Sequence, residues 1–145
     1  MTEAVEVAIE LALMARAQAF AASQNLTISL PNIEFTPPAV NTVAKYLRAT
    51  ILPADSVALG VAYSATNQHY GLLQIDVFFG SGGGEIAPRR IAAAIVSYFV
   101  RGTRLTSNGF NIDINQTPRI GPQTKDGAWT FLPVRIPYQT FAIPA

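Results

Sequence analysis

Residues 70–84 read Tyr70-Gly71-Leu72-Leu73-Gln74-Ile75-Asp76-Val77-Phe78-Phe79-Gly80-Ser81-Gly82-Gly83-Gly84, and this stretch decides the fold. Leu73, Ile75, Val77 and Phe79 fall on one side of a two-residue period, the signature of a strand with one face in a core. Gln74 and Asp76 take the other side, but Leu72 and Phe78 join them there. The strand is therefore covered on both faces for part of its length. The glycine run ends it. A helix should follow at once, because Pro88 suits a first turn and Ile91, Ile95, Tyr98 and Phe99 recur at helical spacing. It should run to about Val100, with Arg90, Ser97 and Arg101 on a polar stripe and Gly102 as the stop.

Upstream, Tyr46 to Leu52 alternates again, with Leu47, Ala49 and Ile51 opposed to Tyr46, Arg48 and Thr50. Leu26 to Leu30 suits a short strand. Three prolines and no periodicity make Pro31 to Pro38 an extended arm. Residues 53–67 read as a long connection with room for a short strand at 57–61, and loops of that length usually have a task. Downstream, Asn108-Gly109 supplies the positive φ angles of a tight hairpin, and Phe110, Ile112 and Ile114 alternate after it. Asp126-Gly127 precedes a strand from Trp129 to Tyr138 with Leu132, Val134, Ile136 and Tyr138 on one face. Pro133 and Pro137 cannot donate ladder hydrogen bonds, so this strand is expected at a sheet edge or with bulges.

The N-terminal segment completes the pattern. Thr2 is placed to cap a helix reaching about Ser23, with Glu3 and Glu6 in its first turns. Val5, Ile9, Leu13 and Phe20 share one face, while Val7, Leu11 and Met14 share another nearly opposite. The first face needs a sheet. The second needs either a neighbouring subunit or a long loop of the same chain. The order helix, strands, helix, strands predicts a single α+β domain over residues 1–145. Its expected parts are an N-terminal amphipathic helix, a mostly antiparallel sheet of about four to five strands, and a second helix packed on that sheet.

Composition narrows the function. Half of the 145 residues are hydrophobic and only 13% are charged, against roughly a quarter in an ordinary soluble domain. So uncharged a surface is poorly defended against association, and contact with other subunits is expected. Up to Asp76 the chain holds six acids and three bases, and from Gly80 onward seven bases and three acids. An acidic end and a basic end suit head-to-tail packing. Cysteine is absent, which excludes disulfides and thiol chemistry. The start Met1-Thr-Glu-Ala-Val-Glu6 is acidic where a secretory signal is basic, and no apolar run approaches the ~18 residues of a membrane span. Synthesis inside the cell and no membrane partner are expected.

Four constellations could carry chemistry, and none does so convincingly. Gly82, Gly84 and Ala87 fit the outline of a dinucleotide-binding turn, but Glu85 would face the phosphates and the acid expected ~20 residues on is missing. His69 is the only histidine, and no serine is marked as its partner. Glu3, Glu6 and Glu10 line one helical face without the histidines that carboxylate metal sites usually add. Arg89, Arg90, Arg101 and Arg104 cluster around the second helix, with too small a basic excess for a nucleic-acid site. These arginines better suit pairing with Glu3, Glu6 or Glu10 of a neighbouring subunit. No catalytic residue, cofactor or metal is expected.

The chain resembles the tail terminator family of long-tailed (siphovirus-type) bacteriophages, including relatives in prophages and gene transfer agents. The segments that carry the resemblance span nearly the whole chain. They are the N-terminal helix, the arm Pro31-Asn-Ile-Glu-Phe35-Thr-Pro37-Pro38, Tyr46-Leu47-Arg48 and Tyr70-Gly71-Leu-Leu-Gln74-Ile-Asp76-Val77. Gly82 to Gly84, the helix Ala87 to Phe99 with Arg101-Gly102-Thr103 after it, and Trp129 through Val134-Arg-Ile-Pro137-Tyr138 complete them. The resemblance implies a structural virion protein forming a hexameric ring. Such a ring ends tail-tube polymerisation at the head-proximal end and docks the head connector or stopper, with DNA passing through its lumen without specific binding. Two other roles fit the size: a head-completion or stopper protein, and a small-ligand-binding or enzymatic domain using the Gly80–Gly84 loop. On the ring reading, Val7, Leu11, Met14, Glu6, Glu10, Arg90 and Arg101 are candidate subunit contacts. Phe35, Pro37, Pro38, Tyr63, His69, Gly82, Gly83 and Gly84 are candidates for docking tube or connector.

Overall fold

Alternation does produce the long strands, and the computed structural model, which describes residues 4–61 and 66–142, shows how they are joined. The order is α1 (Val5–Ser23), β1 (Ile28–Ser29), β2 (Lys45–Pro53), β3 (Val57–Ala58), β4 (Asn67–Gly80), α2 (Ile86–Tyr98), β5 (Arg104–Ser107), β6 (Phe110–Asp113), β7 (Arg119–Ile120), β8 (Thr124–Asp126) and β9 (Trp129–Ala142). Among the described residues these nine strands form one sheet, with the main path β1-β2-β4-β9-β6-β5. β3 adds to β4, and β7 and β8 add to β9. The expectation of four to five strands, mostly antiparallel, is corrected to a mixed sheet of nine. β1 runs parallel to β2, with Ile28 opposite Leu47, while β4 and β9 pair antiparallel along their whole length, Asn67 with Ala142 through Gly80 with Trp129.

Both helices lie on one face of the sheet. Leu47 and Ala49 of β2, Leu73, Ile75, Val77 and Phe79 of β4, and Leu132, Val134, Ile136 and Tyr138 of β9 are all buried there against Ile9, Leu13, Phe20, Ile95 and Phe99. α1 touches β2 near one end of the strand order and β5 and β6 at the other. The sheet must therefore curl around this helix. α1 starts at Val5 with Ala4 before it and no side-chain cap, and Thr2 and Glu3 lie outside the described residues. α2 ends at Tyr98 rather than Val100, and Gly102 serves the turn that follows, its φ at +96°. The Asn108-Gly109 hairpin forms as expected, with φ of +49° and +83° at its two central residues.

β9 corrects the reading of its prolines, because it is a central strand between β4 and β6. Pro133 O accepts from Gly121 N at 2.7 Å, on the flank away from β4. A residue's N–H and C=O point to the same side in an antiparallel ladder, so the missing N–H groups of Pro133 and Pro137, four residues apart, also face that flank. That flank is paired only piecewise, by β8, β7 and a single β6 position. The gaps between these short segments take the prolines, and the unbroken β4 ladder loses nothing.

The chain from 31 to 44 runs irregularly along the end of this sheet. A methyl group at Gly80 would collide with the backbone carbonyl of Asn41, and one at Gly83 with that of Thr42. Glycine at these two positions lets the arm pass at backbone distance.

Candidate functional site

The outer side of α1 is half covered by its own chain. Val5, Ile9, Leu13 and Phe20 face inward as expected. Met14 does not stand outward with Val7 and Leu11. It is 8% exposed, because the chain leaving β1 crosses the helix there, and Leu30, Pro31 and Ile33 close a groove of about 290 Å³ over it with Leu11 and Glu10. Val7 and Leu11 lie beyond that crossing and remain 45% and 51% exposed. Glu6 and Glu10 flank them one turn apart, both exposed. The loop of the same chain thus covers only the Met14 part of the second apolar face and leaves Val7 and Leu11 in solvent.

The four arginines expected at subunit contacts also divide. Arg89 pairs with Glu85, the residue just before α2, at 3.0 Å, and Arg104 pairs with its cross-strand partner Asp113 at 2.7 Å. Both partners were within reach in the sequence, at i−4 and across the Asn108-Gly109 hairpin. Arg90 and Arg101 are exposed, and among the described residues neither has an ion-pair partner. Arg16, which the sequence reading passed over, holds the two helices together. Its guanidinium lies 4.2 Å from the Tyr98 ring centre and donates to Tyr98 O at 2.6 Å, beside an edge-on Phe20–Tyr98 contact.

The docking candidates are scattered. Phe35 is half-buried with its ring 5.3 Å from that of Tyr46, while Pro37 and Pro38 are exposed. Tyr63 lies outside the described residues. His69 is half-buried in a groove of about 470 Å³ that it shares with Glu6, Glu10 and Asp55. Among the described residues no group of three or more acids and histidines is arranged to hold a metal. Gly82, Gly83 and Gly84 are exposed, but Gly83 is occupied by its contact with the arm. Ile33, Val57, Leu59 and Val61 hold large apolar side chains in solvent along the arm and the 54–61 connection.

Sequence reasoning missed the side-chain cluster on the sheet face away from the helices. Asp76 is fully buried there, accepting from Arg48 Nη2 at 2.9 Å, from Arg48 Nε at 3.2 Å and from Gln74 Nε2 at 2.8 Å. The Arg48 guanidinium also lies over Phe78, at 4.8 Å, and Tyr46 stacks on Phe78 with ring centres 4.7 Å apart. A carboxylate between Ile75 and Val77 in a strand was the available signal, since a buried charge needs a partner. Burial raises the Tyr46 hydroxyl above its ordinary pKa of 10.0, although nearby Arg48 opposes this, and burial alone raises Tyr138. The folded chain then keeps these protons where the unfolded chain has released them. This stability is complete below the ordinary tyrosine value and is lost as pH climbs through the folded-state values. Thermal unfolding followed from about pH 8 to 11 should show a falling melting temperature above about pH 10, flattened in Tyr46→Phe and Tyr138→Phe. An unchanged alkaline slope in both variants would show that these hydroxyls do not contribute.

What this fold offers to the outside is contact surface: an apolar–acidic helix stripe, exposed arginines that include Arg90 and Arg101, and apolar side chains on irregular segments. That is the equipment of an assembly protein. A model of the phage tail terminator family matches residues 8–138, and the chain belongs to this family of structural phage tail proteins. One solved structure, which carries no descriptive name, superposes with a TM-score of 0.77 and 24% identity over 99% of this chain and 100% of its own. A chain from the virion of a native gene transfer agent particle superposes with a TM-score of 0.63 and 15% identity, over 97% of this chain and 100% of its own. At such identities the likeness concerns the fold. No curated protein matches the chain.

Proposed function

We propose that this chain, acting as one terminator unit, assembles into a hexameric ring that caps the head-proximal end of the tail tube. The ring stops tube polymerisation and presents its other face to the head connector or stopper. DNA passes through the lumen without specific contacts, and the protein is made in the host cytoplasm before entering the virion. The observation that carries the ring is the exposed Val7–Leu11 stripe on α1, since exposed apolar side chains on an assembly protein mark where a neighbour sits. The family membership supports the terminator role. The apolar side chains of Ile33, Val57, Leu59 and Val61 suit the tube or connector, because irregular segments can order on docking.

Leu11→Glu is the test. A carboxylate in a closed subunit contact would be desolvated without a partner, so the variant should fold as the parent does yet be monomeric at micromolar concentration. Native mass spectrometry and circular dichroism read both properties. A folded variant that keeps the parental assembly removes α1 from the interface.

A further inference from the structure

We propose that the groove beside α1 receives the first turn of α2 from the next copy of this chain, with Ile86 entering the groove and Arg90 meeting Glu10 on its rim. This rests on the ring reading and names the two surfaces that build it. The groove, lined by Leu11, Met14, Leu30, Pro31 and Ile33, has Glu10 at its edge, and Leu11 and Ile33 are more than half exposed around it. Ile86 opens α2 with 65% of its surface in solvent. Arg90 follows at i+4, on the same helix face and roughly 6 Å away. An apolar knob with a cation one turn along matches an apolar groove with an anion on its rim. The neighbouring charges are settled, because Arg89 is held by Glu85 at the start of the helix.

The two surfaces cannot meet within one subunit. α1 and α2 touch through Arg16, Phe20 and Tyr98, at the C-terminal end of α2. Ile86 lies twelve residues before Tyr98, about 18 Å up the helix. The contact therefore joins unlike surfaces of two copies, the arrangement that closes into a ring or extends into a filament. It also separates Arg90 from Arg101. Arg101 stands eleven residues beyond Arg90, roughly 16 Å if the helical rise continued, so one Glu6–Glu10 pair reaches only one of them. Val100 is no substitute for Ile86, because adjacent residues point in different directions and Arg101 cannot share its face.

Native mass measured across protein concentration tests this with Arg90→Glu, Glu10→Arg and the double variant. Each single reversal should weaken association by about fivefold or more per contact, and the double variant should regain most of the loss. The parent chain lacks cysteine, so a second measurement is free of background. Leu11→Cys and Ile86→Cys chains, mixed and oxidised, should form the mixed disulfide in preference to either like pair. A parent that stays monomeric overturns both the ring and this contact. A parent that assembles, with no rescue in the double variant or with only like-pair disulfides, overturns this contact and leaves the ring standing.

Discussion

Arg48→Ala should lower folding stability by about 3 kcal/mol, a large share of what a domain of this size possesses. The reason lies in the asymmetry of the pair. The Asp76 side chain is 1% exposed, whereas that of Arg48 is 43% exposed. Removing the arginine leaves a buried carboxylate with Gln74 as its one remaining side-chain donor among the described residues. Breaking a fully buried pair costs about 3–5 kcal/mol, and the partial exposure of Arg48 places this one at the lower end. Urea denaturation would show a lower midpoint with an unchanged slope. A loss below about 0.5 kcal/mol would mean that the pair behaves as an ordinary surface ion pair. Asp76→Asn should cost less than Arg48→Ala, since it leaves no charge buried.

Gly80→Ala is expected to be the next most damaging change, at about 1–3 kcal/mol. The added methyl would occupy the place of the Asn41 carbonyl. Backbone cannot rotate aside as a side chain can. Either the arm lifts from the sheet or the end of β4 shifts, and β4 ends on a Gly80 N to Ala44 O bond of 3.2 Å that ties the same region. The variant should therefore lose stability and expose residues 31–44 to proteases together. If Gly80→Ala matches the parent in both denaturation and proteolysis, the close approach of the arm is not a feature of the folded chain in solution.

Long periodic segments were legible in the sequence and the shortest strands only in part. The alternation Leu73-x-Ile75-x-Val77-x-Phe79 gave β4 and its buried face, and Asn108-Gly109 gave the β5–β6 hairpin, because each local pattern has one low-energy solution. β7 and β8 are two and three residues long. No period exists over so few residues, so the sheet was undercounted, although β1 and β3 fall within the short strands expected at 26–30 and 57–61. The position of β9 was misread because the proline rule assumes a continuous ladder on both flanks, whereas one flank of β9 is a row of fragments. Met14 shows the limit of helical-wheel reasoning. Its angle on α1 was right, but the loop that covers it comes from a different part of the chain. Asp76 and Arg48 meet only through the β2–β4 register, 28 residues apart, which no local pattern encodes. Of the residues proposed for the subunit contact, Leu11 and Arg90 could be picked from spacing alone, whereas Ile86 required knowing that the helix starts there with its side chain in water.

A chain that ends tail tubes must stop growth at substoichiometric amounts, one ring per tube end. Purified protein added to polymerising tail-tube protein, with tube lengths measured by electron microscopy, tests this most directly. The expected result is a population of short tubes, each carrying a ring of about six times 15.5 kDa at one end, and loss of the effect in Leu11→Glu. Tubes that grow to the same length with and without saturating protein, and carry no density at either end, would contradict it.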